Sequence, residues 1–364
     1  MIPICKPKIT DEEISAVTKV LRSGNIVQGE ETSLFEKEFS EYVGTDYGII
    51  TSSGTTALMV GLTALGLKKG DEVITTPFSF IASSNSIIYT GAKPVFVDIN
   101  PKTFNIEPSQ IKEKITERTK ALLIVHLYGL PCDMDPILDI CKEHNLLLIE
   151  DCCQAHGAEY KNKKVGTFGD LSVFSFYATK NMICGEGGII LTNNQEVAER
   201  CKALRSHGEF KRYNSDFLGY NFRGTDIFSA IGRIQLKKLK NFNERRREIA
   251  RMYNQELKDV GDLELPLEKE GYVHVYHQYT IKTSKRDELL EFLLKEGIGN
   301  KIYYPVPIYK QEPYKSMGYD EALPAVENVS SEVLSIPVHP SVTDEDVMHI
   351  ISSIKKFFGE NNGN

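Results

Sequence analysis

Lys180 closes the run Leu171-Ser172-Val173-Phe174-Ser175-Phe176-Tyr177-Ala178-Thr179-Lys180, and a glycine cluster, Gly185-Glu186-Gly187-Gly188, follows shortly after it. Residues 171–177 are rich in apolar and aromatic types and read as a buried strand. The spacing therefore places one amine at a strand end. Desolvation there lowers the pKa of an amine and leaves it nucleophilic toward an aldehyde. A lysine alone says little, because the chain carries 43 Lys and Arg and nearly all of them belong in water.

Four further features bear on the same chemistry. Thr51-Ser52-Ser53-Gly54-Thr55-Thr56 follows a strand-like run and opens an amphipathic helix. Free amides at such a helix start, with hydroxyls beside them, form an anion site suited to a phosphate monoester; an ordinary Ser/Thr N-cap gives the same pattern. The apolar run Leu146-Leu147-Leu148-Ile149 ends in Glu150-Asp151, where parallel sheets place their ligands. A carboxylate there can pair with a protonated pyridine nitrogen, or serve simply as a cap or loop ion pair. Gln154 follows and can reach a ring oxygen, and Phe80 sits just past another strand, able to stack on a ring or to fill a core. An amine, an anion site, an acid and an aromatic face together suit pyridoxal 5′-phosphate (PLP), whose ring acts as an electron sink. No G-x-G-x-x-G follows a strand, and neither a G-x-x-x-x-G-K-[ST] loop nor a G-x-S-x-G elbow occurs, so dehydrogenase, kinase and hydrolase readings lack their anchors.

The elements that must position these groups alternate. Strands are expected near 47–51, 73–76, 94–99, 121–128, 146–151, 171–177 and 188–192. Helices are expected over 55–65, 79–90, 108–115 and 133–143. Near-continuous apolar strands separated by helices predict a largely parallel sheet covered on both faces. Residues 152–170 read as an irregular loop with a turn at Lys161–Lys164. Beyond a long charged helix from Asp226 to about 260, the pattern changes. An expected strand at 275–283, a helix at 285–296, an extended 301–306 and helices at 326–334 and 343–358 describe a smaller α+β domain. The division expected is a large domain over 1–245 and a small one over 246–364, ending in a polar tail from Gly359.

With 364 residues, 41% hydrophobic and 26% charged, the chain has the make-up of a globular protein. A net charge of −7 argues against nucleic-acid binding. Seven cysteines without C-x-x-C spacing fit neither a disulfide framework nor a zinc site, so no metal is expected and the compartment reads as reducing. No signal peptide and no membrane span are read, which makes the expected location the cytoplasm.

The chain as a whole resembles the DegT/StrS-type sugar aminotransferases, PLP enzymes of fold type I. The resemblance runs from Leu21-Arg22-Ser23-Gly24-Asn25-Ile26-Val27-Gln28-Gly29 through Ser52-Ser53-Gly54-Thr55, Val125-His126-Leu127-Tyr128-Gly129 and Gln154-Ala155-His156-Gly157. It continues through Lys180, Arg205-Ser206-His207-Gly208, Gly219-Tyr220-Asn221-Phe222-Arg223 and Tyr304-Pro305-Val306-Pro307. It implies a three-layer αβα large domain with a mostly parallel seven-stranded sheet, plus the smaller α+β C-terminal domain. It implies that Lys180 bonds the cofactor aldehyde, Asp151 holds the pyridine nitrogen, Gln154 contacts the ring hydroxyl and Phe80 stacks on the ring. Gly54, Thr55 and Ser175 would hold the phosphate. Asn221 would reach the phosphate of a neighbouring subunit, making the active site a property of a homodimer. The implied reaction moves an amino group from glutamate to a nucleotide-linked keto-sugar, by family frequency a 4-keto-6-deoxy sugar, in polysaccharide or antibiotic biosynthesis. Cyclitol amination, sugar 3-dehydration and a non-catalytic PLP-binding regulator are the alternatives; dehydrating relatives carry histidine where this chain has Lys180. Gly224 departs from the methionine common after the Asn-x-Arg motif and is expected to loosen that loop. Cys152-Cys153 replace small residues with little expected effect.

Overall fold

The computed structural model describes residues 1–359, so the rest of the polar tail lies outside the described residues. Seven strands form the central sheet: β1 (Tyr47–Thr51), β2 (Glu72–Thr75), β3 (Lys93–Phe96), β4 (Thr119–Val125), β5 (Leu147–Asp151), β6 (Leu171–Ser175) and β7 (Gly188–Thr192). Their spatial order is β1-β7-β6-β5-β4-β2-β3. All neighbours run parallel except β7, which is antiparallel to both β1 and β6. The carboxyl ends of β1, β2, β4, β5 and β6 therefore share one edge, and every residue proposed for the site except Asn221 follows or ends one of these strands.

Successive strand residues face opposite sides of the sheet, and the sequence supplies apolar side chains for both. Ile49, Leu123, Ile149 and Val173 pack under α3 (Gly54–Ala64), α4 (Ala82–Tyr89) and α6 (Gln195–Leu204), through Leu58, Leu62, Ile87 and Leu204. Leu122, Ile124 and Leu148 face α5 (Met134–His144). Ile50, Phe174 and Ile189 meet Phe35 and Phe39 of α2 (Glu30–Val43), which follows α1 (Asp11–Ser23). Helices on both faces make the three-layer arrangement.

The 31-residue helix α7 (Asp226–Glu256) carries Leu239 in this last cluster and Ile249, Ala250 and Tyr253 in a second core. The boundary expected at 245/246 thus falls inside a continuous helix. The second core is closed by the antiparallel pair β8 (Tyr279–Lys282) and β9 (Val333–Ile336), with α8 (Arg286–Lys295) and α11 (Asp344–Phe357). The short α9 (Glu312–Ser316) and α10 (Pro324–Glu332) lie between them in sequence. Ile2 pairs with Ile298 and packs on the same core, so the N-terminus is tied to the C-terminal part.

Three expected elements differ. Residues 108–115 form two 3-10 turns, Pro108–Gln110 and Lys112–Lys114, rather than one helix. The helix expected through 334 stops at Glu332, where β9 begins by pairing Val333 with Lys282. The strand expected over 275–283 covers only Tyr279–Lys282. Before it, Tyr276 has φ 44, and the amides of Val275 and Gln278 donate to the carbonyls of Gly129 and Tyr128 rather than to a strand.

Candidate active site

At the shared carboxyl edge lies a cavity of about 720 Å³ whose walls include Gly54, Thr55, Phe80, Asp151, Gln154, Ser175 and Lys180. Seven of the eight residues singled out from sequence thus meet in one chamber. Asn221 does not line it: it is exposed, on a loop where it bridges Ser206 while Phe222 accepts the Ser52 amide. The neighbouring Gly224 does not loosen that loop. It is buried, and a Cβ there would lie 2.4 Å from both Ile50 and Phe228.

Lys180 sits half-buried in the turn after β6, its amide donating to the Tyr177 carbonyl at 2.9 Å. Burial holds its amine below the ordinary lysine range, opposed by the nearby Cys153, Asp151 and Cys5. An amine so placed carries more of its neutral, nucleophilic form at neutral pH. Asp151, the last residue of β5, is fixed at both oxygens: Ser83 Oγ donates to Oδ2 at 2.7 Å and the Cys153 amide to Oδ1 at 3.1 Å. Ser83 is in turn 2.9 Å from Ser79, another wall residue.

At the other end, Ser53 caps α3 by accepting the Thr56 amide, with the Thr56 hydroxyl accepting the Ser53 amide in return. The Gly54 and Thr55 amides precede the first intrahelical bond and stay free for an anion. Gly54 is needed for closeness, since a Cβ there would stand 2.8 Å from Ser175 Cβ. Gly188 serves likewise, its missing Cβ leaving room for the Ser53 carbonyl. An acid, an amine and an anion cradle in one chamber of this volume fit PLP. Phe80, 58% exposed, offers a ring face on the rim, 6.5 Å from the Tyr304 ring.

Sequence reasoning missed several wall residues. The Gln154 amide is already engaged, accepting from the Tyr128 amide at 2.9 Å and donating to Tyr304 Oη at 3.1 Å. Tyr128, at φ 56, donates its hydroxyl to the Tyr303 carbonyl. His277 and Gln278 come from the irregular stretch read as strand. The one sign in the sequence was the Tyr304-Pro305 step.

A buried trio, His126, Glu150 and Cys152, brings ligand-type atoms within 4.8 Å of one another. The acceptors of Glu150 and His126 are taken. Glu150 takes the amides of Gly166, Phe168 and Gly169 and a bond with His126 Nε2, while His126 Nδ1 accepts the Cys132 amide. The trio ties the loop after β5 to the sheet.

Strand topology, lysine, carboxylate and anion cradle define a PLP-dependent aminotransferase of fold type I. The sequence pattern of the DegT/DnrJ/EryC1/StrS aminotransferase family matches residues 7–355. The chain belongs to that family. It is 41% identical over 355 residues to a "pleiotropic regulatory protein" of Geobacillus stearothermophilus, covering 96% of this chain and 95% of the relative. A dTDP-3-amino-3,6-dideoxy-alpha-D-galactopyranose transaminase of Aneurinibacillus thermoaerophilus is 40% identical over 343 residues, 94% of each chain. Among solved structures, Streptomyces venezuelae DesV in complex with a ketimine intermediate superposes with a TM-score of 0.94 at 35% identity, covering 97% of this chain and 95% of that one. NtdA from Bacillus subtilis with bound cofactor PMP gives 0.90 at 34% identity, covering 96% of this chain and 83% of that one. No helix among the described residues is long and apolar enough to cross a membrane.

Proposed function

We propose that this chain transfers an amino group from glutamate to the keto carbon of a nucleotide-linked sugar of the 4-keto-6-deoxy class, yielding an amino-sugar nucleotide for polysaccharide or antibiotic assembly. The observation that carries the reading is the meeting of Lys180, Asp151 and the Gly54–Thr55 cradle in one chamber. Relatives point to the sugar nucleotide: transaminases and perosamine synthases named for dTDP, GDP and UDP sugars align over nearly the whole chain.

Bound PLP supplies an imine-linked electron sink for charge developing at the substrate carbon. The chain's own residues do the rest. Lys180 Nζ would bond the cofactor aldehyde, and as a free amine it would take the proton from the donor's α-carbon and give it back as an ammonium. Asp151, held from two sides by Ser83 and the Cys153 amide, would face the ring nitrogen. The free amides of Gly54 and Thr55 and the Ser175 hydroxyl hold the phosphate. Phe80 and Tyr304, both on the chamber wall, would flank the ring.

Asn221 serves the partner subunit in this reading. Its exposure, and its absence from the walls of its own chamber, support a homodimer with shared sites. Seven free cysteines, five of them buried in the apolar clusters on the two sheet faces, support the cytoplasm. The regulator reading has one observation in its favour, the regulatory role for which the Geobacillus relative is named.

The deciding experiment loads the enzyme with the amine form of the cofactor and offers a panel of nucleotide keto-sugars. Loss of the amine-form absorbance with a matching mass gain in one sugar is expected. A regulator converts none of them and is not turned to the amine form by glutamate.

A further inference from the structure

Two backbone carbonyls fix the protonation pattern of a histidine beside the catalytic lysine. The His156 carbonyl accepts from Asn243 Nδ2 at 2.8 Å, which settles which way the Asn243 amide points. The Asn243 oxygen and the Val275 carbonyl both accept from Asn181 Nδ2, each at 2.9 Å. Asn181 therefore turns its oxygen to His277 Nδ1, 3.3 Å away. A carbonyl oxygen only accepts, so the hydrogen sits on Nδ1. His277 Nε2 is then left as an acceptor; the one ring hydrogen bond found among the described residues is that of Nδ1. Free imidazole favours the opposite tautomer; here three buried residues impose this one.

The backbone around His277 is equally constrained. Tyr276 is a non-glycine residue at φ 44, a conformation that persists only where its surroundings enforce it. Arg246 on α7, 4% exposed, enforces it by donating Nη1 to the carbonyls of Tyr276 and His277 at 3.0 and 3.3 Å. From the other side Gly129 packs so closely that a Cβ would lie 3.0 Å from the His277 amide. His277 and Lys180 share the chamber, and Lys180 is the chain neighbour of Asn181. Burial first, then the charges of Lys180 and Arg246, hold the imidazole well below its usual range, so it stays uncharged beside the lysine.

We propose that His277 is a positioning residue for Lys180: its Nε2 lone pair accepts a hydrogen bond from the Lys180 ammonium formed during proton transfer and aims that group at the reacting carbon. No proton passes to His277. The inference deepens the aminotransferase reading and rests on it for the role of the ammonium, whereas the tautomer follows from the fold alone.

The test has two arms on the PLP-loaded enzyme. In the first, ¹⁵N-histidine is incorporated and the His277 ring resonances are assigned by their loss in His277→Gln. Hydrogen on Nδ1 with a bare Nε2 is expected; hydrogen on Nε2 overturns the proposal. In the second, single-turnover reaction with glutamate is followed for His277→Phe and His277→Gln, with thermal melts to confirm folding. The Phe variant should slow the proton-transfer step about 10- to 150-fold, the worth of one hydrogen bond to a charged group. The glutamate concentration for half-saturation should stay put, and the Gln variant, which keeps an acceptor, should recover most of the rate. An undiminished rate in the Phe variant, or a change confined to half-saturation, overturns the role. A parent enzyme that fails to react with glutamate refutes the aminotransferase reading while leaving the tautomer measurement intact. Should His277→Phe fail to fold, the first arm on the unaltered protein still decides.

Discussion

Gly54→Ala is the smallest change that should damage the phosphate end of the chamber. The new methyl would stand 2.8 Å from Ser175 Cβ, 3.1 Å from Cys153 Sγ and 3.2 Å from Ser175 Oγ, about 0.6 Å short of the 3.4 Å where ordinary contact begins. Neither neighbour yields easily, because Ser175 ends β6 inside the sheet and Cys153 follows the end of β5. The first turn of α3 must instead back away by a comparable distance. A hydrogen bond lengthened that much from about 2.9 Å is effectively lost. Losing one bond to a charged group costs about 1.5–3 kcal/mol, which weakens cofactor binding about 10- to 150-fold. The apoprotein should also lose about 1–3 kcal/mol to overpacking. Fluorescence titration of apoenzyme with PLP measures the first quantity and denaturant unfolding of the apoprotein the second. An affinity within about twofold of the parent would refute the reasoning, because the methyl group could then be absorbed without moving the amides.

Lys180→Ala should abolish borohydride trapping of the cofactor and reduce turnover by several orders of magnitude; full turnover with trapped cofactor would end the assignment. Asp226→Ala should cost about 3 kcal/mol in unfolding free energy, because the buried carboxylate accepts from the amides of Gly29, Glu31 and Thr32 and the Thr32 hydroxyl. Mixing Lys180→Ala with Asn221→Asp subunits should restore about a quarter of parental activity if Asn221 acts across a two-fold interface, since hybrid dimers then hold one intact site; no recovery places Asn221 outside the partner's site. Burial, then the Lys180 charge, drives His156 down to about 3. The unfolded chain therefore binds the extra proton between its ordinary value near 6.5 and about 3, and stability falls as pH drops through that window by up to about 1.4 kcal/mol per unit. His156 packs against Phe39, Phe174 and Phe176 with neither ring nitrogen partnered, so His156→Phe should make this acid limb shallower in melting curves taken at successive pH values, with the shares of the buried His274 and His277 remaining.

The residues that end sheet strands were legible because local pattern and topology agree there. Apolar runs fix β5 and β6, parallel order fixes the edge, and Asp151, Ser175 and Lys180 follow from their place in each run. Residues held by long-range contacts left no such mark. Ser83 looks like any helix serine until it is seen 2.7 Å from Asp151, which is 68 positions away. The 275–278 stretch has the β-branched and aromatic make-up of a strand, yet Arg246, Gly129 and Asn181 pull its backbone groups out of any ladder. No window shorter than the distance from 129 to 277 contains that information. Gly224 misled for a related reason, since its departure from a common pattern says nothing of the Ile50 and Phe228 side chains that need the space.

The chamber walls fall into two kinds of material. Its floor is sheet and helix start, closed to within ångströms of its neighbours at Gly54 and Gly188. Its mouth is made of outward-facing side chains on connections: Phe80, Tyr177, Glu186, Lys301 and Pro305. Exchanges at the mouth disturb few buried neighbours, whereas exchanges in the floor collide with backbone. A lineage built this way can trade acceptors over time by rewriting a handful of exposed positions, with the chemistry beneath left untouched.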